Sequence, residues 1–378
     1  MSHLEWDPTL RRFIEFLYAI GIWSKDGESK SWMELKRILF FLQYFSFVVY
    51  LFIGGRQAYK NGDMAQLVFL SENQIACIVV LMKLAYLLWR KDEMTTFLYD
   101  DNVTHCNANR EESAIVNGNN RKIAIFNKVY TTAIMVGITF MLVISSPAFT
   151  NDDKMLPVFI HFDLDCYYDS VLYWIVYVDA FLGTFFCGIY TFTMLIIWYI
   201  MYNYSLEYKL LGRRLTLLGT ETPNTYRQDL IHSIDGHNNL FQSVEKFRST
   251  FDKLFFVEMF VGAAFICTSV YNLSYNTPDN LFEIVIYAVM FCYAFFEIFL
   301  LMYFANEITL NSNQMSYCLF ESKWIEQSES TKKCVIIFGE IIRIPQVMTV
   351  YIYPMNLEKF MSIANCAYSM FNILQSFK

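Results

Sequence analysis

Seven long apolar segments, separated by charged stretches, constrain this chain more than any other feature of its sequence. Each segment has about 19 or more mostly apolar residues, enough for a helix to cross a hydrocarbon core of roughly 30 Å. Backbone groups in lipid must hydrogen-bond internally, so we predict an all-α, seven-transmembrane helical membrane protein. The segments are Leu35–Ile53, Leu67–Trp89, Tyr130–Phe149, Val171–Met201, Leu254–Leu273, Leu281–Ala305 and Met348–Phe377.

The Lys and Arg residues fall almost entirely on alternate connections between these segments. Of the 29 in the chain, 23 lie in the N-terminal stretch up to Arg37, at the start of the first span, and in the second, fourth and sixth connections. The four on the other side are Arg56, Lys60, Lys154 and Lys378. The remaining two, Lys83 and Lys359, lie deeper within spans. Cations stay on the cytoplasmic side during insertion, so we predict a cytoplasmic N-terminus and an extracellular C-terminus. G-protein-coupled receptors have the opposite orientation.

The connections predict a layer of helices on the cytoplasmic side and little mass outside. Leucines at helical spacing after the fourth span, and aromatic and aliphatic residues before the fifth, predict helices that extend both spans and are separated near Thr222. We expect another break at Ser328, with helix resuming near Cys334. The predicted outside loops are Gly54–Gln66, Thr150–Ser170 and Ser274–Asn280. The resulting parts are an arm (1–34), spans one to four (35–201), a helical anchor segment (202–253), spans five and six (254–305), a second anchor segment (306–346) and span seven (347–378).

The final span carries a stripe of small polar residues at spacings of 3, 4, 3 and 4. These residues fall on one helix face, within about 80° of arc. Two interpretations remain open: a water-facing pore lining, which needs several subunits around an axis, or helix–helix packing through small polar groups. The stripe consists of Ser362, Asn365, Ser369, Asn372 and Ser376.

The outer halves of several spans are rich in aromatic, Met and small residues. Such a set suits a small apolar ligand oriented by one or two hydroxyls, although ordinary packing and an interfacial aromatic belt give the same pattern. The candidate pocket residues are Phe69, Ser71, Ile75, Gly137, Met141, Ser145, Tyr173, Trp174, Tyr177, Phe181, Tyr287, Met290 and Phe291.

Other functions find little support in the sequence. No Ser/His/Asp set or metal-type Cys and His cluster is present, so we expect no enzyme activity, no metal and no cofactor. The scattered intramembrane carboxylates disfavour an ion-coupled transporter, and a net charge of −7 disfavours nucleic acid as a partner. The remaining classes are channel, receptor or membrane scaffold.

Two stretches of the chain resemble a known family. Residues 229–237 and 251–260, followed by Cys267, resemble the entry to the fifth span of insect odorant receptors. Trp324, the run Tyr353-Pro-Met-Asn-Leu-Glu-Lys-Phe360 and the run Ala367-Tyr-Ser-Met-Phe-Asn-Ile-Leu374 resemble their C-terminal signature. Gustatory receptors share this topology and match in part through Tyr368, Gln375 and Phe377, whereas the Tyr-Pro-x-x-Leu-Glu stretch favours the odorant branch.

The resemblance implies a ligand-gated, non-selective cation channel with four subunits around one pore. It implies that the last helix lines the pore, with a gate near Ile373 and Phe377. The pocket would lie between the second, third, fourth and sixth spans, and the cytoplasmic helices would form a shared anchor. The family co-receptor carries an insertion before the fifth span that this chain lacks, so the resemblance implies an odorant-specific subunit. Its expected partners are the co-receptor, a small volatile, membrane lipid and permeant cations.

Overall fold

The computed structural model describes residues 8–23, 29–98, 110–144, 170–220, 225–275 and 281–376. Within these ranges the chain is almost entirely helical, apart from one two-stranded hairpin and short turns. The all-α prediction is confirmed for this part of the chain. The α-helices are α1 (Pro8–Ala19), α2 (Lys30–Asn61), α3 (Met64–Trp89), α4 (Lys91–Leu98), α5 (Arg110–Ile144), α6 (Ser170–Thr216), α7 (Tyr226–Tyr275), α8 (Leu281–Glu321), α9 (Glu329–Ile342) and α10 (Leu357–Ser376).

The seven predicted spans lie on α2, α3, α5, α6, α7, α8 and α10. Among the described residues, α2, α3, α5, α7 and α8 are long and apolar enough to cross a membrane, and α6 contributes the shorter apolar stretch Tyr173–Phe186. Helices α6 and α8 pack together most extensively. Helix α2 packs against α3 and α6, and α7 packs against α8 and α10. Every residue from Thr193 to Met201 is buried, as expected for a helix surrounded by neighbours.

Three helices continue past the apolar spans at one end of the bundle. Helix α6 runs to Thr216 and α7 begins at Tyr226, as the apolar spacing predicted, and α8 runs to Glu321. The predicted break near Thr222 lies outside the described residues. Arg214 of α6 forms a bidentate pair with Glu112 of α5, at 2.9 and 3.1 Å. This hydrogen bonding raises the pKa of Arg214 and fixes α5 to α6 at what we call the extended end of the bundle.

The prediction that Gly54–Gln66 forms a loop is wrong. Helix α2 continues to Asn61 and α3 starts at Met64, so only a tight turn separates them. Gly62 adopts the left-handed conformation (φ 73°) that ends a helix, and the Asp63 carboxylate accepts a hydrogen bond from the backbone N–H of Gln66 at 3.0 Å. These two caps let α2 and α3 pack as an antiparallel pair.

The boundaries near the C-terminus also differ from the prediction. Helix α9 starts at Glu329, earlier than the predicted Cys334, because Ser328 caps it. The last helix starts at Leu357 instead of Met348, because β1 (Thr349–Val350) and β2 (Tyr353–Pro354) form a hairpin before it. Two α7 residues anchor this hairpin: Arg248 donates to Thr349 Oγ1 at 2.7 Å, and Asp252 accepts from the Tyr351 N–H at 2.9 Å.

Candidate ligand pocket and pore helix

Part of the predicted pocket set comes together in the bundle interior. Phe69 of α3 and Tyr287 of α8 are both buried and meet edge to face, with ring centroids 5.6 Å apart. Met290 and Phe291 follow Tyr287 one turn along α8 and pack against the core. An edge-to-face pair of this kind presents large apolar surfaces to a small neighbour. Helices α3 and α8 therefore meet through aromatic rings at the predicted pocket.

Helix α6 contributes three neighbouring rings whose exposure differs. Tyr173 is buried, Tyr177 is half-buried one turn further on, and their centroids lie 6.0 Å apart. Trp174 packs against both rings but points outward and is 51% exposed. The two tyrosines face the bundle, whereas Trp174 occupies the lipid-facing side.

The structure places the remaining pocket candidates in different environments. Ile75 is 53% exposed and Phe181 is 37% exposed, so both lie on outer surfaces. Ser71 and Gly137 are half-buried, and no atom within 4 Å would meet a Cβ added to Gly137. The side chain of Met141 and the whole of Ser145 lie outside the described residues.

Sequence reasoning missed a polar link between α2 and α6. Ser46 Oγ donates to Asp179 Oδ2 at 2.6 Å, and Gln43 Nε2 donates to the Asp179 carbonyl at 2.9 Å. Gln43, Asp179 and Trp174 line an open cleft of about 630 Å³ on the outer side of α6. Glu72, one turn from Phe69, is also buried. The periodicity of residues along one helix cannot reveal such interactions, because the polar partners lie on other helices.

A charged cluster lies in the interior between α3, α7 and α8. Lys83 of α3 forms an ion pair with Glu258 of α7, and the two side chains are only 7% and 3% exposed. Glu297 of α8 is also buried and lies beside Glu258. One ammonium faces two carboxyl groups in an apolar bundle, an arrangement that is retained only when the groups satisfy one another. The cluster joins α3, which carries Phe69, to the two helices that contact α10.

Helix α10 packs against α7 and α8 through the face opposite its polar stripe. Phe360 meets Phe295 and Phe299 of α8 with centroids at 5.0 and 5.4 Å, and Ala367 is buried. At about 100° per residue, these two positions lie roughly 180° from the centre of the stripe. The described stripe residues Ser362, Asn365, Ser369 and Asn372 are all exposed.

Within the part of the chain that the structure describes, these four side chains therefore do not pack inside their own subunit. Ile373, the predicted gate residue, is 55% exposed beside the stripe. Met370, which helical spacing places away from the stripe, is also 47% exposed. The side chain of Ser376 and the whole of Phe377 lie outside the described residues.

Gln346 connects the extended end to the hairpin and α10. Its side chain accepts a hydrogen bond from Tyr208 of α6 and donates to the Phe241 carbonyl of α7 at 3.0 Å. Its backbone N–H donates to Ser312 of α8 at 2.9 Å. Burial raises the pKa of the Tyr208 phenol, so this group stays a neutral donor. Three long helices are thus joined at one residue just before the chain enters α10.

Solved structures with the same fold include the olfactory receptor OR5 of Machilis hrabei. The match has a TM-score of 0.76 at 14% identity and covers 98% of this chain and 100% of that one. The complex of the same receptor with eugenol matches with a TM-score of 0.73 at 16% identity, covering 98% and 99% of the two chains. At these identities the likeness establishes the seven-helix membrane fold.

Curated relatives match over a shorter stretch. Odorant receptor 33b of Drosophila melanogaster is 26% identical over 174 residues, which is 45% of this chain and 46% of the relative. Odorant receptor 10 of Aedes albopictus is 28% identical over 149 residues, or 39% of each chain. The aligned part of this chain thus spans less than half the length of the curated relatives it matches.

The family profile extends much further along the chain. The profile described as 7tm Odorant receptor matches residues 65–368, which include the second to sixth spans and part of the seventh. The match favours the odorant over the gustatory branch and a receptor over an enzyme. Combined with the shared fold and the five described helices that are long and apolar enough to cross a membrane, it makes the protein a multi-pass membrane receptor. The chain belongs to the seven-transmembrane odorant receptor family of insects.

Proposed function

We propose that this chain is the odorant-specific subunit of a heteromeric, ligand-gated, non-selective cation channel. It assembles with the family co-receptor as a heterotetramer in the plasma membrane of a sensory neuron dendrite. The observation that carries the proposal is the outward-facing polar stripe of α10. The four described stripe residues would cost free energy if they faced lipid, so they require water or a partner subunit.

A second exposed surface supports assembly. Helix α9 is charged and lies outside the apolar spans, yet Ile336, Ile337 and Ile341 are each more than half exposed. Ile344 and Ile352 follow on the connection to α10 and are 79% and 82% exposed. A contiguous apolar surface on a helix outside the membrane is characteristic of a protein–protein contact. Contacts between neighbouring subunits through α9 would place their α10 helices around a common axis.

A small volatile would bind among α3, α5, α6 and α8 through dispersion and apolar burial. Phe69, Tyr177 and Tyr287 offer the rings, and the tyrosine hydroxyls can orient a polar group on the ligand. A ligand that shifts α3 would act on the Lys83–Glu258 pair, because this pair couples α3 to α7. Helix α7 contacts α10 and anchors the hairpin before it, so the displacement can reach the pore.

The direct test is ionic current in cells that express this chain together with the co-receptor. A panel of volatiles should include at least one that evokes a cation current with both subunits present, and little current with the co-receptor alone. Volatile-evoked current from this chain alone would exclude the obligatory heteromer. Surface-expressed heteromers that respond to no volatile in a broad panel would contradict the odorant assignment.

Truncation of Tyr287 should weaken the response to an agonist found in that panel. Tyr287→Ala removes a buried ring and should cost roughly 1–3 kcal/mol of apparent affinity, read as a shift of the dose–response curve. Tyr287→Phe keeps the ring and should shift the curve only if the ligand uses the hydroxyl. Tyr317→Ala on the same helix removes an exposed ring at the extended end and serves as the matched control. If all three variants gave the same dose–response curve, Tyr287 would be a packing residue that does not contact the ligand.

The orientation of the chain is part of the proposal and has its own test. The 23-to-4 distribution of Lys and Arg predicts that a tag after Lys378 is reached by antibody on intact cells. A tag before Met1 should stain only after the membrane is permeabilised. The reverse staining pattern would assign the extended end to the extracellular side.

A further inference from the structure

A cleft of about 400 Å³ opens between α5, α6 and α8 where these helices leave the apolar spans for the extended end. Its chemical character changes along its length. Lys122, Lys209 and Glu307 lie towards the extended end, whereas Phe126 and Phe299 lie towards the membrane interior. The cleft is separate from the predicted odorant pocket, which involves the opposite halves of the same helices.

The length of this gradient suits a molecule that is polar at one end and apolar at the other. Along α8 the lining runs from Asn311 to Phe299, twelve residues or about 18 Å at 1.5 Å per residue. Tyr202 and Tyr303 line the middle of the cleft, between the charged and apolar ends. Tyrosine favours this boundary between water and hydrocarbon because its ring is apolar and its hydroxyl is polar.

The two lysines are available to an incoming anion. Both are exposed, and neither forms an ion pair with any residue that the structure describes. Nearby Arg214, by contrast, is held by Glu112 through two hydrogen bonds. Glu307 contributes one negative charge to the lining, so the cleft keeps a net charge of one positive unit. An anionic group would therefore be attracted to the charged end of the cleft.

We propose that this cleft binds an anionic phospholipid from the surrounding leaflet. Its phosphate group lies between Lys122 and Lys209, and its acyl chains lie against Phe126, Phe299 and Leu300. Anionic lipids are enriched in the cytoplasmic leaflet, and the assignment of the cleft to that leaflet rests on the proposed orientation of the chain. The proposal that the cleft binds an anionic lipid does not depend on that orientation. A lipid seated here would link α5, α6 and α8, three of the helices that carry pocket residues.

Native mass spectrometry of the full chain tests this proposal without any measurement of current. The detergent-purified protein is incubated with phosphatidylcholine or phosphatidylserine, and retained lipid adducts are counted. We expect phosphatidylserine to be retained preferentially. Each lysine near a headgroup contributes about fivefold, so Lys122→Gln with Lys209→Gln should lower retention about thirtyfold. Glu307→Gln removes the opposing charge and should raise retention, which a misfolded variant would not do.

Lys128→Gln is the matched control, because Lys128 is exposed on the same helix but does not line the cleft. It should retain phosphatidylserine like the parent protein. Excess inorganic phosphate should leave the lipid bound, because phosphate lacks acyl chains. Equal retention of the two lipids, an equal loss with Lys128→Gln, or complete displacement by phosphate would each overturn the proposal. Displacement would indicate a site for soluble anions.

Discussion

The variant Lys83→Met should lose most of its thermal stability, with an expected cost of about 3–5 kcal/mol. Lys83 is the ammonium in the buried cluster, and its removal leaves Glu258 and Glu297 facing each other in an apolar bundle. Neither carboxylate can reach water at that depth, so the loss of the cation is not compensated by hydration. The measurement is the temperature at which half of the monodisperse receptor is lost, by fluorescence-detected size-exclusion chromatography.

The double variant Lys83→Met with Glu258→Leu decides whether the pair acts as a unit. Apolar replacement of both partners removes the uncompensated charge, so much of the stability should return. Glu297→Gln should be neutral or stabilising, because it removes the second carboxylate from the cluster. Lys128→Met, at an exposed position on α5, should change stability by no more than about 0.5 kcal/mol. A double variant as unstable as Lys83→Met would show that the pair is not a coupled unit.

Ile373→Ser should raise the current that flows without ligand or alter ion selectivity. A constriction lined by apolar side chains excludes hydrated ions because they cannot shed water without replacement oxygens, and a serine hydroxyl weakens that barrier. The measurement is basal current relative to agonist-evoked current at matched surface expression. The matched control is Ile363→Ser on the same helix, because Ile363 packs against the bundle. This control should reduce expression without raising basal current.

A cysteine scan of α10 tests the pore-facing surface directly. Native Cys366 is exposed on this helix and must first be replaced by alanine to remove background reaction. Cysteines at the stripe positions 362, 365, 369 and 372 should then react with a water-soluble thiol reagent, faster with agonist present. A cysteine at the buried position Ala367 should stay unreacted. Uniform reactivity, or none, would mean that the stripe contacts another helix in the assembly and does not line the pore.

Helix α10 shows why helical spacing alone does not identify the packed face of a helix. Helical spacing placed Met370 away from the stripe, and the structure leaves it nearly half exposed on the flank of the helix. Ile363 packs against the core only because α7 and α8 approach α10 from that side. One helix considered alone specifies angles between its own residues but not the directions from which neighbours arrive.

The sequence by itself determined the fold class, the positions of the seven helices and their extensions past the membrane. Hydropathy and leucine spacing are local properties, and they dominate because a helix in lipid must satisfy its own backbone. Boundaries that depend on caps were harder to predict. Gly62 and Asp63 shorten the predicted first loop to a turn, and a hairpin delays the start of α10.

Only the tertiary structure decided which polar and aromatic groups meet. Phe69 and Tyr287 are 218 positions apart in the sequence, and Lys83 and Glu258 are 175 positions apart. No period within one helix encodes such pairs, because each depends on the rotation and depth of two helices at once. The same holds for Gln346, an ordinary residue in the sequence that joins three helices in the structure. Burial in a common interior brings these side chains together, and that environment exists only after the bundle has assembled.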